Sequence, residues 1–377
     1  MAALPLDAGL RASARPGRIA PRLDMERKRS PHPLHSRPMQ AGIITGKEII
    51  ELLEFTEPTP AENEAVVRIS YCGICGTDLH AYQSGVMENP AVCGHEWMGE
   101  VSAVGSSVTD FREGDRVIGG IAPACGDCAA CRAGYTRDCP HQLGSLMGTP
   151  HGGFAPAIAA DVRRLTPVPD GLDDLDAAMV EPLAVALHGT RRTDIRLGDT
   201  VAVIGAGPIG LLTLQCARAA GAGRVYVVEP VADRAALALE LGADSVFNPM
   251  EEDVATALAD ATGGLGPDVV FECAGIAPTI QHAVDYVRRG GAVTLIGLAS
   301  EQATIDPGTW LSKEITFVSA VAYAHREFAI AADLIASGRI QVRPLHTHTA
   351  ALSDIADAFS LLNEDRRQIK VLVDPRG

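Results

Sequence analysis

A glycine turn between an apolar run and a helical pattern constrains the fold of this chain more than any other feature. Residues 200–204 (Thr-Val-Ala-Val-Ile) have the pattern of a buried strand, and Gly205-Ala-Gly-Pro-Ile-Gly210 follows at once. Alternating strands and helices predict a parallel sheet covered on both faces, a doubly wound domain. Further strands are predicted at 224–229, 245–247, 268–272 and 292–296, and helices at 231–241, 252–261 and 277–289.

The same turn predicts a ligand for this domain. Gly205, Gly207 and Gly210 have the spacing of a dinucleotide fingerprint, with Pro208 and Ile209 inside it, and Glu229 ends the next strand. The glycines let the backbone approach a pyrophosphate at a helix N-terminus. The carboxylate accepts hydrogen bonds from ribose hydroxyls and would repel the 2′-phosphate of NADP. We therefore predict NAD as the cofactor; the alternative is a glycine turn without a ligand.

The residues before this domain have a shorter, β-like pattern. Strands are predicted at 64–71, 99–105 and 114–119, followed by a helix over 173–192. After about residue 321 a mixed pattern returns and ends in a predicted strand at 369–373. A chain of 377 residues is long enough for two cores. The predicted divisions are 1–38 (leader), 39–180 (first, mostly β domain), 181–320 (dinucleotide domain) and 321–377 (return of the mixed pattern).

Four cysteines crowd into one short stretch of the first domain. Cys125, Cys128, Cys131 and Cys139 have a spacing that can close a tetrahedral Zn²⁺ site without an open position. Such a site is structural, because it ties down a lobe that has little core of its own. Four reduced thiols and an iron–sulfur cluster are the alternatives.

A second metal site is predicted from two motifs upstream of that stretch. Cys75 directly precedes a Gly-Thr-Asp group, and His95 stands beside Glu96. A catalytic Zn²⁺ keeps one position open, so Cys75, His95 and one glutamate would hold it. Asp78 is predicted to hydrogen-bond to the second nitrogen of His95 and so to fix its tautomer. Cys72 ends an apolar strand and is predicted to pack inward.

Residues 1–38 differ from all that follow. They hold eight Arg or Lys residues against three Asp or Glu residues, with prolines scattered among them. We expect no fixed structure here. A start at Met39 and an Arg-rich transit peptide are the alternatives to a disordered leader.

Charge and hydropathy exclude several classes of protein. The net charge of −15 argues against a nucleic-acid partner. No apolar run is long enough to cross a bilayer, and no secretory signal is visible. Nine cysteines, clustered in a chain without such a signal, predict metal ligands before disulfides. We therefore expect a cytoplasmic protein that acts on a small molecule.

Taken in order, the two metal motifs and the glycine fingerprint resemble those of the zinc-containing medium-chain alcohol and polyol dehydrogenases, from about residue 39 to 374. The resemblance implies an α/β fold, in which a GroES-like, mostly β catalytic domain carries an inserted Rossmann domain. It also implies that Cys75, His95 and either Glu96 or Glu181 hold a catalytic zinc.

The resemblance extends to further residues. Thr77 and His80 occupy the family's proton-relay positions, and Arg234 occupies that of its basic residue near the adenosine ribose. Glu181-Pro-Leu-Ala-Val-Ala-Leu-His188 is similar to the branch with sorbitol, threonine and 2,3-butanediol dehydrogenases. The family also implies a homodimer or homotetramer.

The expected reaction is hydride transfer between a secondary alcohol, diol or polyol and NAD, which gives a ketone. In the family mechanism Zn²⁺ acts as a Lewis acid on the alcohol oxygen, and the proton leaves through Thr77, the cofactor ribose and His80. The alternatives are a zinc enzyme for a primary alcohol or aldehyde, and a zinc- and NAD-binding protein without catalysis. Tyr82, Trp97 and Phe154 either line the substrate pocket or pack in the core.

Overall fold

Two β-sheets, one mostly antiparallel and one parallel, organise the chain. The computed structural model describes residues 37–85, 93–144 and 150–377. The predicted leader lies outside these residues except for Arg37 and Pro38, and Pro38 already begins the first strand.

The first half of the described chain consists mostly of short strands. In chain order its elements are β1 (Pro38–Gly46), β2 (Ile49–Thr56), β3 (Glu64–Gly73), α1 (Gly76–Ser84), β4 (Glu96–Val104), β5 (Arg116–Gly119), α2 (Ala129–Arg132), α3 (Pro140–Gly144), β6 (Ala157–Asp161), β7 (Leu165–Pro167), α4 (Asp174–Ala177) and α5 (Val180–Arg191).

The second half alternates strands and helices, as the sequence predicts. Its elements are β8 (Thr200–Ile204), α6 (Pro208–Ala220), β9 (Arg224–Val228), α7 (Ala232–Glu240), β10 (Ser245–Phe247), α8 (Val254–Ala261), β11 (Val269–Glu272), α9 (Ala277–Tyr286), β12 (Ala292–Leu295), α10 (Pro307–Lys313), β13 (Thr316–Ser319), α11 (His325–Ala336), β14 (His346–Ala351), α12 (Ile355–Glu364) and β15 (Lys370–Asp374).

The parallel sheet has six strands in the order β10-β9-β8-β11-β12-β13. All five neighbouring pairs are parallel. The chain runs from β8 towards one edge and then returns to β11 on the other side, so β8 lies at the switch point of the topology. Open α/β sheets bind ligands at the carboxyl ends of strands at such a point. The predicted Rossmann-type fold is confirmed.

The other sheet joins strands from both ends of the described chain. Its order is β14-β15-β3-β4-β5-β7, and β6 pairs with β3 as well. Because β15 pairs with β3, the C-terminal segment returns to the first half of the molecule. β1 and β2 form a separate antiparallel hairpin.

The helix predicted over 173–192 is interrupted. The structure has the short helix α4 and then the longer α5, with Ala178 and Met179 between them. Pro182 lies in the first turn of α5, where its missing N–H would have no helical partner in any case. A continuous helix would place that proline in its interior, so the chain breaks just before it.

Apolar packing connects the two sheets through α5. One buried cluster runs from Met98 and Ile118 of the seven-stranded sheet, through Leu183 of α5, to Val201 and Val203 of β8. Among the described residues, no helix is both long and apolar enough to span a membrane.

The three aromatic residues whose role the sequence left open pack in the core. Trp97 and Phe154 are each 1% exposed and Tyr82 is 6% exposed. The rings of Tyr82 and Phe154 contact the ring of Phe359 with centroid distances of 5.2 and 5.8 Å. These three side chains therefore belong to the core that packs against the seven-stranded sheet.

Candidate metal centres and cofactor site

The first candidate metal centre lies where three strands of the seven-stranded sheet begin or end. β3 ends at Gly73, which pairs directly with Glu96 at the start of β4. β15 pairs with the same end of β3 and begins at Lys370. Cys75 therefore follows β3 at the point where His95 leads into β4. Sheet pairing thus brings together the motifs that lie apart in the sequence.

Cys75, His95 and Glu96 form a compact group of possible ligands. One ligand atom from each lies within 4.8 Å of the other two. Burial raises the pKa of the Cys75 thiol. Burial alone would lower the pKa of His95, but the adjacent Cys75 sulfur, helped by Asp78 and Glu181, raises it well above its usual range. Cysteine and histidine bind a metal in their deprotonated forms, so a bound metal would displace protons from these groups.

Asp78 holds this group from below. Its carboxylate accepts hydrogen bonds from the backbone N–H of Cys75 at 2.9 Å and of Gly94 at 3.2 Å. It is fully buried and caps the start of α1. Its Oδ1 lies 3.9 Å from Nδ1 of His95, an ion-pair distance longer than a hydrogen bond. Asp78 therefore holds the backbone at Cys75 and directly before His95.

Glu96 has a buried partner that the sequence analysis missed. The ammonium group of Lys370 lies 2.5 Å from Oε2 of Glu96, and both side chains are 2% exposed. Lys370 also donates to the carbonyl of Ile74 at 3.0 Å. A Cβ atom at Gly73 would lie 2.2 Å from the same Oε2, so a larger residue there would displace this carboxylate. The signal for Lys370 was present: it is a lysine that begins an otherwise apolar strand.

Glu181 approaches the same centre from the first turn of α5. It is 6% exposed, and burial raises its pKa to about 7 against the opposing charge of His95. Tyr323 interacts with it, and burial beside Glu181 raises the pKa of this phenol well above its usual range. The sequence analysis missed Tyr323 as well. Both predicted glutamates are thus buried close to His95.

The charges of this centre suit a divalent cation. Asp78, Glu96 and Glu181 are all buried here, and Lys370 is a buried cation that pairs with one of them. Burying an unpaired carboxylate costs about several kcal/mol of free energy, as it does for other ions taken out of water. A Zn²⁺ ion bound to the thiolate, imidazole and carboxylate groups would balance the remaining negative charge. The donor set therefore fits zinc.

The two predicted relay residues lie on α1, directly after Cys75. Thr77 is exposed and His80 is half-buried; three residues apart, they share one face of the helix. Nδ1 of His80 is buried and has no hydrogen-bond partner among the residues that the structure describes. Burial lowers the pKa of His80, which keeps its ring neutral and able to accept a proton.

The second candidate metal centre is the four-cysteine lobe, residues 125–139. The sulfur atoms of Cys125, Cys128, Cys131 and Cys139 all lie within 4.8 Å of one another. Backbone N–H groups of Cys125, Cys128 and Cys131 each donate to a sulfur of the group at 3.4 Å. The bond from Cys125 lowers the pKa of Cys139 to about 6. Four free thiols arranged around one point fit a closed zinc site.

The glycine turn forms a cradle at the carboxyl end of β8. Gly205 has a φ of 92°, the left-handed conformation that favours glycine. A Cβ atom at Gly210 would lie 1.8 Å from the carbonyl oxygen of Gly205. Gly207 precedes α6 without a side-chain cap, so the first N–H groups of the helix are free to bind a phosphate.

Glu229 and Arg234 border this cradle. The carboxylate of Glu229 accepts from the N–H of Ala206 at 2.7 Å and of Val231 at 2.9 Å. Each oxygen can accept a further bond, for example from a ribose hydroxyl. Arg234 donates to the carbonyl of Gln368 at 2.7 Å, whereas its buried Nε has no acceptor within the described ranges. These groups fit a dinucleotide.

Comparisons with known proteins agree with this geometry. Residues 61–170 match the alcohol dehydrogenase GroES-like domain, and residues 208–337 match the zinc-binding dehydrogenase domain. A 2-dehydro-3-deoxy-L-galactonate 5-dehydrogenase from Pseudoalteromonas atlantica is 35% identical over 340 residues, which cover 89% of this chain and 98% of that protein. The chain belongs to the zinc-containing medium-chain dehydrogenases.

Other members of the family show the same extent of similarity. A sorbitol dehydrogenase from Bacillus subtilis is 32% identical, over 89% of this chain and 97% of that protein. The crystal structure of a zinc-binding dehydrogenase from Sinorhizobium meliloti, bound to NADP, superposes with a TM-score of 0.82. It is 33% identical and covers 90% of this chain and all (100%) of that one. The chain is therefore an oxidoreductase that acts on CH–OH groups with zinc and a nicotinamide cofactor.

Proposed function

We propose that this dehydrogenase oxidises a secondary alcohol of a diol or polyol to a ketone, with NAD as the hydride acceptor. The observation that carries the proposal is the group of Cys75, His95 and Glu96, whose ligand atoms lie within 4.8 Å of one another. Cys75 of this group is the N-cap of α1, the helix that carries Thr77 and His80.

The proposed metal content is two zinc ions per chain. Cys75, His95 and either Glu96 or Glu181 would hold the catalytic ion, and the four-cysteine lobe would hold the structural one. The ion pair with Lys370 already occupies one oxygen of Glu96. Because Glu96 nevertheless lies within ligand distance of Cys75 and His95, both glutamates stay candidates for the third protein ligand.

The residues of α1 would handle the proton. When bound, Zn²⁺ and NAD supply Lewis-acid polarisation of the substrate oxygen and a hydride acceptor. The hydroxyl of Thr77, exposed in the first turn of α1, would orient the substrate hydroxyl and accept its hydrogen bond. His80, one turn further on, has a neutral ring that would take the proton towards solvent. Asp78 would keep Cys75 and His95 in place through its hydrogen bonds from the N–H groups of Cys75 and Gly94.

The substrate class is proposed from the relatives. Two of them are a sorbitol dehydrogenase and a 5-dehydrogenase of 2-dehydro-3-deoxy-L-galactonate, and a third is an (R,R)-butanediol dehydrogenase from Bacillus subtilis, 32% identical over 89% of this chain. Diols and polyols are therefore the first compounds to test.

The preference for NAD is proposed from Glu229. Its buried carboxylate directly follows β9, where a 2′-phosphate would add a second negative charge. Among the solved relatives, one is bound to NADP and another is complexed with NADH. Arg234 would offset part of the repulsion, so we expect poor use of NADP rather than none.

Three further features are proposed from the family likeness. The catalytic domain comprises residues 39–180 and 321–377, and residues 181–320 form the Rossmann domain; the strand order of the two sheets supports this division. The protein works in the cytoplasm. It assembles as a homodimer or homotetramer, which sedimentation velocity would test.

The test of function is a steady-state assay of the purified zinc enzyme with NAD⁺ and NADP⁺. The panel comprises sorbitol, 2,3-butanediol, aldonic acids, polyol phosphates and primary alcohols, with Cys75→Ala as the matched inactive control. The proposal expects the highest kcat/KM for a diol or polyol with NAD⁺. A highest kcat/KM for a primary alcohol, or no turnover of any compound, would refute it.

A further inference from the structure

Arg137 connects the four-cysteine lobe to the rest of the molecule by two hydrogen bonds. It lies in the 3₁₀ turn Thr136–Asp138, between the third and fourth cysteines of the lobe. Its Nη1 lies 2.5 Å from Nε2 of His188 on α5, and its Nη2 donates to the carbonyl of Val321 at 3.0 Å. The two contacts are made to two segments that also reach the candidate catalytic metal centre.

The first contact continues into a buried chain. A guanidinium group has no acceptor, so Nε2 of His188 accepts and its Nδ1 carries the ring proton. Nδ1 lies 2.8 Å from Oε2 of Glu327, which also accepts from the N–H of Ala324 at 2.7 Å. Side chains of His188 and Glu327 are 6% and 4% exposed. Arg137 thereby fixes the orientation of a ring that ties α5 to the start of α11.

α5 connects His188 to the candidate catalytic metal centre. Glu181 lies in its first turn and His188 in its last, and both are buried. They are seven positions apart, which is about two helical turns, so they lie on the same face. A rotation or shift of α5 would move both together.

The second contact holds a strained segment. Ala322 follows Val321 and has a φ of 51°, a left-handed conformation that alanine adopts uncommonly. The next residue is Tyr323, whose phenol interacts with Glu181. The bond from Arg137 to the carbonyl of Val321 holds the chain directly before this turn.

We propose that Arg137 is a positioning residue, through which the four-cysteine lobe holds Glu181 and Tyr323 in place at the catalytic metal centre. The inference rests on the proposed function of both centres. It makes the lobe part of the catalytic scaffold in addition to any role in stability. Loss of Arg137 should loosen the catalytic metal while leaving the lobe's own metal bound.

The experiment is zinc release from the wild-type enzyme and its variants into excess chelator, followed with a zinc indicator. Two phases are expected for the wild type: a fast one from the open catalytic site and a slow one from the closed lobe. Arg137→Ala should accelerate the fast phase by roughly threefold to tenfold, below the ~10- to 100-fold range for partners that contact a metal ligand directly. The slow phase should stay unchanged.

Two variants sharpen the result. Arg132→Ala is the matched control, since Arg132 is an exposed arginine of the same lobe whose guanidinium bonds to the carbonyl of Asp127 within it. It should change neither phase. Arg137→Lys keeps the charge but lacks the fork that makes two bonds, so its fast phase should fall between those of wild type and Arg137→Ala. It also decides the question if the alanine variant does not fold.

The outcomes separate this inference from the proposed function. An unchanged fast phase in both Arg137 variants, or acceleration of the slow phase alone, would overturn the positioning role. Metal analysis of the wild type comes first: fewer than two zinc ions per chain would refute the proposed metal content and, with it, the basis of this test. Wild-type turnover without any effect of Arg137 would leave the function standing and remove only the inference.

Discussion

The two candidate metal centres differ in how the chain builds them. The four-cysteine lobe draws all its possible ligands from residues 125–139, in loops and short helical turns. Three of the cysteines are half-buried and Cys139 is buried, and their sulfurs accept hydrogen bonds from the lobe's own N–H groups. The other centre combines the end of β3, the start of β4 and the first turn of α5. Its acidic groups are buried, and Lys370 partners one of them from β15.

This difference indicates how each centre should respond to change. A lobe made from one stretch can close around a metal on its own, so metal and local folding should be lost together. The other centre is held by sheet pairing, Asp78 and the apolar core. It should therefore keep its backbone without a metal and lose only its chemistry.

The largest effect is expected for Cys75→Ala. It removes a ligand of the open centre, so kcat/KM should fall by at least about 10³-fold, corresponding to several kcal/mol of lost charge stabilisation. The melting temperature should change little, and zinc content should drop by one ion per chain. Cys216→Ala, which removes a buried thiol of α6, is the control and should retain turnover. A Cys75→Ala protein that still binds both ions would contradict the assignment.

Cys128→Ala should mainly affect stability, in contrast to Cys75→Ala. Loss of a ligand from the lobe should lower the free energy of unfolding by about 3–5 kcal/mol, because structural metal binding contributes directly to folding. Chemical denaturation measures this, with Arg132→Ala as the control in the same lobe. Wild-type stability for Cys128→Ala would remove the structural role of the four cysteines.

His80→Gln probes the proton path next to the open centre. General-base groups contribute at least about 10²-fold, so kcat should fall by that order. Burial lowers the pKa of His80, so its ring remains neutral, and can accept a proton, to a lower pH than an ordinary histidine. Wild-type kcat should therefore hold at mildly acidic pH and fall only below it. The variant should be slowest at low pH and recover at high pH; an identical pH–rate profile would exclude His80.

The smallest effect is expected for Glu229→Ala, which lies outside both metal centres. Loss of the carboxylate removes hydrogen bonds to the ribose, so KM for NAD⁺ should rise by about tenfold. KM for NADP⁺ should change less, because the repulsion between the carboxylate and the 2′-phosphate disappears as well. Zinc content should not change. kcat/KM with both cofactors measures the effect. A wild-type enzyme that prefers NADP⁺ would refute this interpretation of Glu229.

Features that depend on local spacing could be predicted from the amino-acid sequence alone. The period of apolar residues predicted every strand of the parallel sheet except β13, because a buried strand, a glycine turn and a helix form a local pattern. The four cysteines and the two halves of the other metal motif were visible for the same reason. Gly205, Gly207 and Gly210 follow from backbone conformation and close approach alone.

Contacts between distant residues depend on the folded structure and could not be predicted in this way. Lys370 pairs with Glu96 because β15 adds to β3, and Arg137 reaches His188 because the lobe lies against α5. Strand partners and helix faces are set by the whole buried core, and no window of sequence contains both members of such a pair.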